Sequence, residues 1–112
     1  MNRIVYNKLI RDRIPEIIEK NGKNYKTSVL SDSEFLDALF DKLLEESKEA
    51  CEARTGEPGD IEKEISDIYE IIDTVINVLN LDKESILELQ SERRNARGGF
   101  KNQLKLIWVE ER

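Results

Sequence analysis

The chain has 112 residues, 38% hydrophobic and 38% charged, with 24 acidic against 18 basic side chains and a formal charge of −6. That length fits one domain spanning residues 1–112. The acidic balance argues against broad affinity for a nucleic-acid polymer or an anionic membrane, while leaving room for a local basic pocket. Histidine is absent altogether, which removes Ser-His-Asp and Cys-His catalysis, imidazole general bases and most zinc and non-haem iron sites. No run approaches the ~20 apolar residues of a membrane span. The first residues, MNRIVYNKLIRDRIPEII, carry charges inside every short apolar stretch and do not read as a secretory signal. One cysteine, Cys51, forms no intrachain disulfide and is expected to be a small core residue of a cytoplasmic protein.

Residues 1–13 read as an irregular basic lead-in. Pro15 suits a first helical turn, where its missing N–H is harmless, so a short helix is predicted from about Ile14 to Lys20, closed by Asn21-Gly22. NYKTSVL, residues 24–30, reads as a strand. Ser31 and Glu34 have capping-box spacing, and apolar residues then follow helical periodicity from Phe35 to about Ala53. Thr55-Gly56-Glu57-Pro58-Gly59 marks a loop, and Asp60 is the expected N-cap of a helix running to about Leu79. Asp82 is expected to cap a fourth helix that ends before Gly98-Gly99. QLKLIWV, residues 103–109, reads as a second strand pairing with 24–30, with Trp108 packed in that strand or in the core. The expected fold is mainly α, with a small two-stranded β element.

Four carboxylates stand out against this frame: Glu46 and Glu49, then Glu64 and Asp67 after an interval of fourteen residues. Each pair is spaced i,i+3, which places both members on one face of a helix. Two such helices side by side converge four acidic side chains on one point. Those charges repel unless a cation sits among them, and hard divalent ions prefer oxygen ligands. Around the second helix the apolar stripe centres near Leu43 and Ser47, with Glu46 at its edge, Glu49 just beyond, and Glu45 pointing away. Glu64 falls inside the stripe of its own helix, among Ile61, Ile68, Ile71 and Val75, and Asp67 lies at the border. An unpaired carboxylate there costs several kcal/mol or must keep its proton, so Glu64 requires either a metal or a buried Lys or Arg. Di-iron bundles need Glu-x-x-His, zinc wants Cys or His, and no segment has EF-hand spacing. Mg²⁺ or Mn²⁺ with oxygen ligands remains, and Mg²⁺ commonly completes its shell with substrate phosphates.

At these residues the chain resembles the MazG-like, all-α nucleoside triphosphate pyrophosphohydrolases. Their EExxE…ExxD signature stands here as Glu45-Glu46-Ser47-Lys48-Glu49 followed by Glu64-Ile65-Ser66-Asp67. Tyr6 to Pro15 (YNKLIRDRIP) and Arg97-Gly98-Gly99-Phe100 are similar to the opening and closing motifs of a small, single-domain subgroup of phosphoribosyl-ATP-pyrophosphohydrolase-like proteins. The resemblance implies an all-α pyrophosphatase-like bundle that binds Mg²⁺ through Glu46, Glu49, Glu64 and Asp67. It makes Glu45 or Glu49 the group that orients the attacking water. The implied reaction cleaves a nucleoside triphosphate between the α and β phosphates, releasing a nucleoside monophosphate and pyrophosphate. Phosphates also need cationic partners, and Lys8 and Arg11 near one end, with Arg97 and Lys101 near the other, are the candidates. Broad apolar stripes on a short chain lead to an expected homodimer or higher homo-oligomer. Two other readings compete: a non-catalytic helical module that binds a nucleotide or a protein, and a structural oligomerisation domain whose acidic pairs are satisfied by arginines.

Overall fold

The computed structural model describes residues 2–112 and contains four helices. They fall into two units, one ending at Asn80 and the other comprising Leu81–Arg112. Among the described residues no helix is long and apolar enough to cross a membrane.

In the first unit α1 spans Ile14–Lys20, α2 spans Asp32–Ala53 and α3 spans Pro58–Val78. Pro15 lies in the first turn of α1. Beyond its other end Gly22 adopts φ +73° and donates its N–H to Glu19 O at 2.9 Å, the reversal that ends a helix. The capping box of α2 is complete: Ser31 Oγ accepts from Glu34 N–H, and the Glu34 carboxylate accepts from Ser31 N–H. The start of α3 differs from expectation. Its N-cap is Glu57 and its first residue is Pro58, because proline, lacking an N–H and fixed near helical φ, is favoured there. Asp60 therefore lies in the first turn, where its charge suits the helix dipole, rather than capping it.

Only residues 54–57 separate α2 from α3, so two helices of 22 and 21 residues fold back against each other as an antiparallel hairpin. Their shared seam runs through Leu36, Leu39, Leu43, Glu46, Ala50 and Ala53 on α2 and Ile61, Glu64, Ile68, Ile71, Val75 and Val78 on α3, all buried or half-buried. The steps alternate between three and four residues, the knobs-into-holes spacing of helices packed nearly side by side. Buried apolar residues are few among the described residues: Leu39, Ile71 and Ile76.

The second unit is built on α4, Lys83–Arg97. As expected Asp82 caps it, accepting from Glu84 N–H at 3.1 Å and from the Ser85 hydroxyl at 2.9 Å. Gly98, with φ +85°, terminates it.

The two-stranded element is not present, and no strand occurs among the described residues. Residues 24–30 and 103–109 have the β-branched and aromatic composition of strands, but a strand exists through hydrogen bonds to a neighbour, and neither segment has one. Their side chains are correspondingly open, with Val29 fully exposed and Trp108 at 71%. Trp108 is thus in neither strand nor core. Cys51 is likewise exposed rather than a core residue.

Candidate metal centre

The seam that joins α2 to α3 is apolar except at one level, where Glu46 and Glu64 meet. Glu46 follows Leu39 by seven residues and precedes Ala50 by four, so it occupies a core position, and it is the buried one, 6% exposed. Sequence periodicity had put it at the stripe's edge. Phe40 and Leu44 pull the apparent apolar centre of α2 toward a face that is open here, Leu44 being 72% exposed. The signal that locates Glu46 correctly is the three-four alternation through Leu39, Leu43, Ala50 and Ala53. Glu64 sits inside its seam as expected and is half-buried.

Two overlapping groups of carboxylates result. Glu45, Glu46 and Glu49 form one, and Glu46, Glu64 and Asp67 the other; within each, one oxygen per residue lies within 4.8 Å of the others. Glu46 belongs to both. Glu46 thus links Glu45 and Glu49 on its own helix to Glu64 and Asp67 on the facing one. Glu46 Oε2 and Glu64 Oε2 are buried and have no hydrogen-bond partner. Leaving a buried carboxylate oxygen unpaired costs on the order of 1–3 kcal/mol, so these two oxygens are acceptors awaiting a donor or a cation.

Three cationic side chains reach the cluster. Lys8 Nζ donates to Glu45 Oε1 at 2.9 Å, and Arg11 Nη2 donates to Asp67 Oδ1 at 2.8 Å. Lys42, one turn before Glu46 on α2, approaches Glu46 Oε1 at 3.6 Å and Glu45 Oε1 at 4.0 Å. Lys42 was not singled out from sequence, although its i,i+4 spacing to Glu46 could have marked it. None of the three satisfies Glu46 Oε2 or Glu64 Oε2. Arg97 and Lys101 belong to the second unit, at the last residue of α4 and in the turn beyond Gly98-Gly99, and both are exposed.

Proton affinities follow this layout. Burial raises the Glu46 carboxyl, and so does the facing Glu64 carboxyl, which it can approach closely only by sharing a proton. Glu49 is raised too, first by its contact with Glu46 and then by burial. Glu45 moves the opposite way because the Lys8 ammonium hydrogen-bonds it, and Lys8 is raised by the same contact.

A pH signature follows for the metal-free protein. Glu46 and Glu49 bind their protons more tightly folded than unfolded, so their contribution to stability is complete below the ordinary value of 4.5 and is lost as pH rises through their raised folded values. Glu45 contributes the reverse, present above 4.5 and lost as pH falls. Thermal melts in EDTA are therefore expected to fall as pH rises from 4.5 toward neutrality, and excess Mg²⁺ should abolish that fall by favouring the ionised carboxylates. A melting temperature that rises across that window in EDTA would contradict the assigned burial.

No family model, curated protein or solved structure matches this chain. An all-oxygen donor set with two orphaned buried acceptors fits a hard divalent cation of the Mg²⁺ or Mn²⁺ kind. Thiolate and imidazole ligands are missing from the cluster, so softer metals have nothing to select them.

Proposed function

We propose that the chain is a Mg²⁺-dependent nucleotide pyrophosphohydrolase that cleaves a nucleoside triphosphate between its α and β phosphates. The observation carrying this reading is the pair of unpartnered, buried oxygens on Glu46 and Glu64, on facing helices, bordered by cations from the N-terminal segment. A divalent ion bound there would neutralise charge developing on a phosphate chain and lower the pKa of a coordinated water. Glu46, Glu49, Glu64 and Asp67 would hold it, with Mn²⁺ as a substitute. Glu45 or Glu49, at the border of the cluster, would orient the attacking water and accept its proton. Lys8 and Arg11 would bind phosphate oxygens, with the guanidinium offering two parallel donors.

The direct test is a panel of nucleoside triphosphates assayed for pyrophosphate release with and without Mg²⁺, beside Glu64→Gln. The expected result is Mg²⁺-dependent release from at least one nucleotide and its loss in the variant. If no nucleotide yields pyrophosphate and Mg²⁺ leaves the melting temperature unchanged, the chain is instead a non-catalytic binding module.

The proposed enzyme is also a homodimer or higher homo-oligomer. On α3 a second apolar series, Ile65, Tyr69, Ile72, Ile76 and Leu79, repeats the three-four spacing beside the seam, and every member but Ile76 is exposed. Phe40 and Leu44 open the corresponding side of α2. A hairpin with two apolar seams has one left over, and a second hairpin would cover it. Sedimentation at micromolar concentration is expected to give at least a dimer; monomer alone would refute this part.

A further inference from the structure

Residues 2–13 form no helix, yet they are shaped rather than loose. Asn7 takes the left-handed backbone, φ 48°, a conformation that asparagine tolerates better than most residues. Between the two cluster-facing cations, Leu9 is half-buried. Arg11 O then accepts from Ile14 N–H at 3.1 Å, joining the segment to the start of α1. The bend sends Lys8 to Glu45 on α2 and the following turn sends Arg11 to Asp67 on α3, so the segment straps the hairpin at the level of the carboxylate cluster.

With every carboxylate ionised, five acidic groups (Glu45, Glu46, Glu49, Glu64 and Asp67) face three cations (Lys8, Arg11 and Lys42). A divalent ion would balance that count, and a bound polyphosphate would then make it negative again. Lys8 and Arg11 are about half exposed at their side chains, so their ion pairs are weak enough to exchange.

We infer that Lys8 and Arg11 are exchangeable counter-ions: they hold Glu45 and Asp67 in the metal-free protein and pass to the phosphate chain when a divalent ion and a polyphosphate occupy the cluster. This rests on the metal reading proposed above. It assigns the segment a further role: carboxylates hold the strap in the metal-free protein, a metal alone loosens it, and phosphate holds it again when metal and polyphosphate are both bound. Once a divalent ion shares the Asp67 carboxylate, the attraction that holds Arg11 there falls and the cation repels the guanidinium. Phosphate oxygens restore a bidentate partner at the same place.

The test follows the Arg11 side-chain Nε–H resonance by NMR, assigned with Arg11→Lys, while calorimetry records Mg²⁺ binding to the same protein. Mg²⁺ alone should move that resonance toward the position of free arginine, and inorganic tripolyphosphate added with Mg²⁺ should move it away again. Arg11→Gln should bind Mg²⁺ about fivefold more tightly than the parent, because a competing ion pair has gone, and should lose most of the tripolyphosphate affinity. If Mg²⁺ binds by calorimetry while the Arg11 signal stays fixed through both additions, Arg11 is a permanent brace for Asp67 and the exchange is refuted, with the metal site intact. If Mg²⁺ does not bind at all, the exchange and the metal reading fall together.

Discussion

Glu46→Gln is expected to raise the melting temperature of the metal-free protein and, in the same molecule, to erase its response to Mg²⁺. Glu46 is the most buried charged residue of the seam and the member common to both carboxylate groups. Its Oε2 has no partner, and Lys42 Nζ stands 3.6 Å from the other oxygen. Neutralising it removes like-charge repulsion with Glu49, Glu64 and Asp67 and supplies an N–H that Glu64 can accept. The gain is expected to be about 1–2 kcal/mol, or roughly 4–8 °C for a chain of this size. On the proposed reading the same change deletes a ligand from both groups, so pyrophosphate release should drop on the order of 10²–10³-fold. Stability and function thus move in opposite directions, which a packing residue would not produce. Differential scanning calorimetry in EDTA and in Mg²⁺ reads both halves, and a metal-free variant that melts below the parent would show that the carboxylate is already compensated.

Leu39→Ala should do the opposite and destabilise the hairpin without touching the cluster's chemistry. Leu39 is 3% exposed and is one of three buried apolar residues among those described. Removing its side chain costs about 2–5 kcal/mol, against a total stability of ~5–15 kcal/mol for an ordinary domain. With so few residues sharing the load, urea unfolding followed by circular dichroism should show a midpoint shift of that size at any protein concentration. Leu44→Ala offers the contrast. Leu44 is exposed within one chain, so its truncation should cost little in a monomer and should weaken the protein in a concentration-dependent way where a second copy covers that face. A Leu39→Ala protein within 0.5 kcal/mol of the parent would place the core elsewhere.

Helix boundaries were legible wherever a local chemical device sets them. The Ser31–Glu34 box, the Asp82 cap and the reversals at Gly22 and Gly98 all act through neighbours in the chain, so the sequence carries the whole cause. At the start of α3 two starting signals compete, and proline at the first position outweighs aspartate two residues later. The strands failed for a different reason. β-branched composition describes what a residue tolerates, whereas a ladder requires a second segment in register. At the cluster, i,i+3 pairing was enough to set Glu46 with Glu49 on α2 and Glu64 with Asp67 on α3, in two groups that share Glu46. What pairing could not supply was depth. Glu46 is deeper than its helical angle suggested because α3 packs to one side of the apparent stripe, and only the partner helix reveals which side. Lys42, Lys8 and Arg11 illustrate the same point. Their charges were visible, but which carboxylate each would choose depends on a bend at Asn7 and on the facing of two helices.

The link between α2 and α3 occupies only residues 54–57, while the level at which Glu46 meets Glu64 is fixed by side chains interlocking along the seam. Those two controls are separable by insertion. Extra glycines after Thr55 would lengthen a surface connection at little thermodynamic cost and leave both carboxylates facing each other. One residue inserted between Glu64 and Ile68 would turn everything on one side of it by ~100° relative to the other, swinging Glu64 out of the interhelical contact or turning Ile68 and Ile71 out instead. The acidic level is therefore tuned like a notch cut in a rod, insensitive to the hinge at its end and intolerant of a single added step along its length.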